Sequence, residues 1–140
     1  MPIQYVLLPL FVEVTLTFVL LFWMAGARVA AVRRGDVHPR DVALLEPNWP
    51  KRETQIGNAY HSQLELPVLF YVLTILVIIT RHADYLFVVL AWLFVALRLL
   101  HAYVHVTSNR MTRRFAVFAA AAVVLVVMWA IFMLSILLGI

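Results

Sequence analysis

Residues 115–140 run for 26 positions without a charged side chain, and residues 2–27 carry only Glu13. A bilayer's hydrocarbon core, about 30 Å thick, is crossed by about 20 helical residues, so both runs are long enough to span it. Backbone N–H and C=O groups find no water there, which makes a helix the natural conformation for each run. Composition agrees. The 140 residues are 65% hydrophobic and 13% charged, with mean hydropathy +0.97, whereas an ordinary soluble domain is roughly 45–50% apolar. The expected fold is all-α: an integral membrane four-helix bundle forming one domain over residues 1–140. Its spans are expected at about 4–32, 58–80, 84–106 and 114–138.

The absence of cysteine removes disulfides, thiolate metal sites and a cysteine nucleophile. Four isolated glycines build no phosphate-cradling loop. The net charge of +4 would suit nucleic acid if it were gathered on a soluble face, but its distribution serves topology instead, and no nucleic-acid partner is expected. Arg33, Arg34, Arg40, Lys51 and Arg52 follow the first span, and Arg110, Arg113 and Arg114 follow the third, against Arg81 alone on the other side. The positive-inside rule then places both basic loops in the cytoplasm and both termini on the non-cytoplasmic side. The N-terminus lacks the basic start and small-residue cleavage site of a signal peptide, so the first helix is expected to be retained.

The middle spans are less clean. Residues 66–80 are uncharged for 15 positions and residues 85–97 for 13. They reach span length only if Glu65 lies inside the second helix, and Arg98, His101 and His105 inside the third. On a helical wheel, Asn58, His61, Ser62 and Glu65 fall within an arc of roughly 100 degrees, and Arg98, His101 and His105 within roughly 60. Asn109 continues the second stripe. Ionisable groups at membrane depth must pair or reach water. Glu65 and Arg98 lie at similar depth on antiparallel helices, so a charge-assisted pair between them is expected. Glu13, about ten residues into the first span, is expected to serve a structural role against a neighbouring helix or protomer.

The stretch containing Asn58, His61, Ser62, Glu65 and Pro67, followed one helix later by Arg98 and His101 and then by Arg113 and Arg114, resembles the family of membrane-associated proteins in eicosanoid and glutathione metabolism (MAPEG), in its bacterial form. The resemblance covers the whole chain. It implies a homotrimer with glutathione bound between protomers, open to the cytoplasmic side and to lipid. It further implies that Glu65, Arg98, Asn58, His61 and Ser62 line the glutathione site, that Arg113 or Arg114 stabilises the thiolate, and that His101 or His105 moves protons. The implied activity is a glutathione-dependent transferase or peroxidase acting on lipophilic electrophiles. Its partners are a second and third copy of the chain, membrane lipids and a lipophilic small molecule.

Several positions depart from the family pattern. Asn58 and His61 stand where glutathione-using members carry arginines, Ser62 where they carry asparagine, and His105 where they carry tyrosine. Arg52 or Arg28 is a candidate source of the missing positive charge. Two alternative readings follow from the same residues. One is a non-catalytic trimer that binds lipid or a partner. The other is a metal site on His101 and His105, whose i, i+4 spacing suits one ion, completed by Glu65 or His61.

Overall fold

A computed structural model describes residues 2–44, 47–108 and 110–140. The described residues form five α-helices, α1 Ile3–Arg33, α2 Lys51–Ser62, α3 Leu66–Ile79, α4 Tyr85–Val106 and α5 Met111–Leu138, with one 3-10 turn at Pro39–Asp41. α2 and α3 together form one apolar passage, Lys51–Ile79, so among the described residues four segments are long and apolar enough to cross a membrane. The chain is an all-α, multi-pass membrane bundle.

The second passage starts at Lys51, where polar residues lengthen the helix beyond its apolar stretch. Glu53 accepts from Arg34 Nη2 at 3.2 Å, and Arg52 donates to the carbonyl of Val106, tying this first turn to the ends of α1 and α4. Farther on, the helix is interrupted. Pro67 has no N–H to donate and disfavours helical geometry in the residue before it, and Glu65 leaves the helix at φ −100°, ψ −103°. Gln63, Leu64 and Glu65 close the end of α2 with tight bonds to Tyr60, His61 and Ser62.

α1 packs on α2, α3 and α4, while α4 also packs on α2 and α5, and α3 on α5. Two apolar clusters result. The larger lies toward the termini and includes Val6, Phe70, Leu73, Phe94 and Leu125; Phe70 and Phe94 place their ring centroids 4.9 Å apart. The smaller lies toward the basic loops and joins Leu20, Met24, Ile56, Ala59, Ala102 and Val106. Between the clusters three helices bury polar side chains: Glu13 on α1, Ser62 and Gln63 at the end of α2, and Arg98 on α4.

Candidate functional site

The interruption of the second passage creates the local chemistry. Inside a membrane, a carbonyl released from a helix needs another donor. The carbonyl of Ala59 receives the Gln63 side-chain amide at 3.0 Å, and that of Ser62 receives Arg98 Nη2 at 2.9 Å. The same nitrogen reaches Ser62 Oγ at 2.6 Å. Arg98, fully buried, therefore caps α2 from α4. The expected Glu65–Arg98 ion pair does not form among the described residues: Glu65 is exposed at the break, and Arg98 engages the Ser62 carbonyl, which also accepts the Glu65 N–H at 3.3 Å.

Beyond this cap lies a cavity of about 490 Å³ bounded by α2, α4 and α5. Asn58, His61, Ser62 and Glu65 form one wall, and His101 and His105 a second. The third comes from the first two turns of α5, through Met111, Arg114, Phe115 and Phe118. The imidazoles of His101 and His105 meet nearly edge-on at 4.5 Å, and the Phe118 ring sits 5.9 Å from that of His101. Both histidines are almost completely buried, and their Nδ1 atoms have no hydrogen-bond partner among the described residues. A buried donor or acceptor left in this way costs roughly 1–3 kcal/mol, which makes these atoms candidate contacts for a ligand.

The cavity thus brings together seven of the nine residues singled out from sequence. Arg98 stands behind it, joined to its wall through Ser62, and Arg113 is exposed and outside the lining. The distinction between Arg113 and Arg114 follows from helical phase: Met111, Arg114, Phe115 and Phe118 are spaced i, i+3, i+4, i+7 and share one face. That spacing, visible in the sequence, would also have identified the two phenylalanines. Asn109 lies outside the described residues. Arg28 and Arg52 lie away from the cavity, their guanidinium carbons 5.0 and 5.1 Å from the ring centres of Trp49 and Trp23. Among the described residues no three His, Asp or Glu side chains gather where they could hold one metal ion, so His101 and His105 are not completed into a metal site by Glu65 or His61.

Glu13 was placed by sequence against a neighbouring helix or protomer. It is fully buried inside its own bundle, where α1 packs on neighbouring helices, and neither carboxylate oxygen has a hydrogen-bond partner among the described residues. Gln63, also buried, was not singled out; its role depends on the helix break, which hydropathy does not mark.

Compared with known protein families, the chain matches the one described as the MAPEG family over residues 6–134. The chain belongs to the MAPEG family. No curated protein and no solved structure matches it. Membership agrees with the four apolar passages among the described residues.

Proposed function

We propose that this MAPEG protein is a glutathione-dependent transferase or peroxidase acting on lipophilic electrophiles, with its site in the cavity between α2, α4 and α5 and its basic loops in the cytoplasm. The observation that carries the reading is convergence: residues from three helices, assigned to one site by family resemblance, line one cavity. Its volume falls within the roughly 300–1,000 Å³ of small-molecule sites.

The donor set suits glutathione. The tripeptide carries two carboxylates, an ammonium group and a thiol. Arg114 supplies a cation, Glu65 an acceptor for the ammonium, and Asn58, Ser62 and His61 neutral partners for the peptide groups. Glutathione brings a sulfur nucleophile, which is potent only when ionised. The first turn of α5 adds the positive end of the helix dipole to the Arg114 charge, so the α5 wall favours an anionic sulfur. His101 and His105 are within the same cavity and can accept or return a proton. One subsite would form in each protomer of a homotrimer.

An electrophile from the bilayer has an apolar approach. A groove of about 500 Å³ follows the seam between α3 and α5, lined by Leu66, Leu69, Leu125, Val126, Trp129 and Met133 among others. Leu66 adjoins Glu65 in sequence, and Ala122, also in the groove, is one turn beyond Phe118. This supports a lipophilic second substrate.

Purified protein is expected to conjugate glutathione to an activated aryl halide or to reduce a lipid hydroperoxide. Arg114→Ala is expected to lower kcat/KM by about 100-fold or more, the scale of losing a preorganised electrostatic partner. Arg113→Ala should change it by less than about threefold, since that side chain lies outside the cavity lining. Equal losses in the two variants, or no turnover by the folded wild-type protein, contradict the proposal. Glutathione-independent lipid binding without turnover would instead favour the non-catalytic reading.

A further inference from the structure

Arg81 stands where the turn between α3 and α4 would ordinarily carry glycine. The turn closes α3 with two bonds, from the Arg81 N–H to the Ile78 carbonyl at 3.2 Å and from the His82 N–H to the Val77 carbonyl at 2.9 Å. This pair of bonds calls for a left-handed residue at the first position, and glycine alone takes that conformation without steric cost. Arg81 adopts it at φ +61°, the one non-glycine residue with positive φ among the described residues. The guanidinium finds no partner in exchange. It makes no hydrogen bond or ion pair among the described residues, and the nearby Asp84 turns a carboxylate oxygen to the Phe87 N–H at 2.8 Å instead.

Two cavities flank this side chain. One, of about 450 Å³, lies between the α3–α4 turn, the start of α4 and the end of α5. Val77, Leu86, Phe87, Leu90, Met128 and Phe132 give it apolar walls, and Arg81 and His82 line it as well. The other, of about 270 Å³, lies between the turn and the start of α1, with Ile3, Val6 and Ile78 beside Arg81. Neither shares a lining residue with the cavity of the proposed chemistry. His82 adds a second polar contact at the larger one. Its Nε2 lies 3.0 Å from the Ile140 carbonyl oxygen, which can only accept, while its Nδ1 is buried without a partner among the described residues.

The depth is specific too. α3 ends at Ile79, α4 begins at Tyr85 and α5 ends at Leu138, so the turn sits where apolar passages reach the headgroup region of a bilayer. A free cation there, with hydrocarbon-lined space on both sides, matches an amphiphile that has one anionic head and two chains. Arginine's planar fork is suited to the two oxygens of a phosphate.

We propose that Arg81 and its two flanking cavities bind an anionic phospholipid, with the phosphate on the guanidinium, one acyl chain against the α4–α5 wall and the other against Ile3 and Val6. The site is independent of the glutathione reading and lies at the other end of the bundle.

Thermal unfolding of the full chain in detergent micelles tests it, with dioleoyl-phosphatidylglycerol, dioleoyl-phosphatidylcholine or inorganic phosphate added. Phosphatidylglycerol is expected to raise the melting temperature by about 5 °C or more, phosphatidylcholine by less than about 2 °C, and phosphate not at all. Most of the rise should vanish in Arg81→Gly and in Arg81→Gln, and about half of it in Ile131→Trp, which fills the larger cavity from its rim. It should persist in Arg33→Gln, which removes an exposed charge from the end of α1 at the basic loops. Without lipid, Arg81→Gly should melt within about 3 °C of wild type, because glycine suits the left-handed position. No rise with phosphatidylglycerol, an equal rise with phosphatidylcholine, or a rise with phosphate alone overturns the proposal. So does a full rise in either Arg81 variant or in Ile131→Trp, or an equal loss in Arg33→Gln. A lipid-free Arg81→Gly that melts far below wild type would make Arg81 a structural residue and overturn it as well.

Discussion

The two halves of the bundle solve the same packing problem with different materials. Toward the termini, Phe70, Leu73, Phe94 and Leu125 fill the space between helices with aromatic and aliphatic groups. Toward the basic loops a smaller apolar cluster shares the space with buried Glu13, Ser62 and Arg98 and with the cavity walled by His101, His105 and Arg114. The apolar half also leaves a few buried nitrogens, Trp129 Nε1 and His82 Nδ1, without a partner among the described residues. In the polar half such atoms are more numerous and include Nδ1 of His101 and His105 on the cavity wall, an arrangement whose cost is understandable where a ligand is to be received.

Substitutions in the two halves should fail differently. Arg98→Met removes the buried cation that bonds both the Ser62 carbonyl and its hydroxyl, an expected loss of about 1.5–3 kcal/mol. The midpoint of denaturant unfolding in detergent measures it. Any folded fraction should also bind glutathione less well, because the Ser62 wall loses its brace. Phe94→Ala, in the apolar half, is expected to cost about 3 kcal/mol by leaving a cavity beside Phe70. Here the thiol KM should stay within about twofold of wild type, since no cavity-lining residue moves. A large KM change in Phe94→Ala would show that the halves are mechanically one.

The smallest expected effect lies beside the site. A Cβ on Gly57 would come 3.0 Å from Arg28 Nη2, the mobile end of a side chain that rests on Trp49. The helix-propensity gain of Gly57→Ala is about 1 kcal/mol, and displacing that guanidinium offsets part of it. The melting temperature should therefore change by no more than a few degrees. A loss of turnover in this variant would bring Arg28 into the functional site, where the structure does not place it.

Much of this contrast was legible in the residues. The charge-free runs define α1 and α5, because lipid imposes a composition that no other environment does. The polar stripes through Asn58, His61, Ser62 and Glu65, and through His101 and His105, are fixed by helical phase and meet in one cavity. The partner of Arg98 was not legible. Depth arithmetic treats the second passage as a straight rod, whereas the chain breaks before Pro67, exposes Glu65 and turns the Ser62 carbonyl to where Arg98 reaches it. Glu13 was visible as an anomaly, but its direction depends on how α1 rotates against α4, which a nearly uniform apolar helix does not encode.

The central claim is that the cavity between α2, α4 and α5 binds glutathione through Arg114. Glutathione titration of folded protein, followed by thermal unfolding, tests it most directly, since a ligand that prefers the native state raises the melting temperature in proportion to the logarithm of its concentration. The account predicts a rise that begins below about millimolar glutathione and is largely lost in Arg114→Ala. An unchanged melting temperature in the wild-type protein up to several times that concentration, or an equal rise in Arg114→Ala, would contradict it.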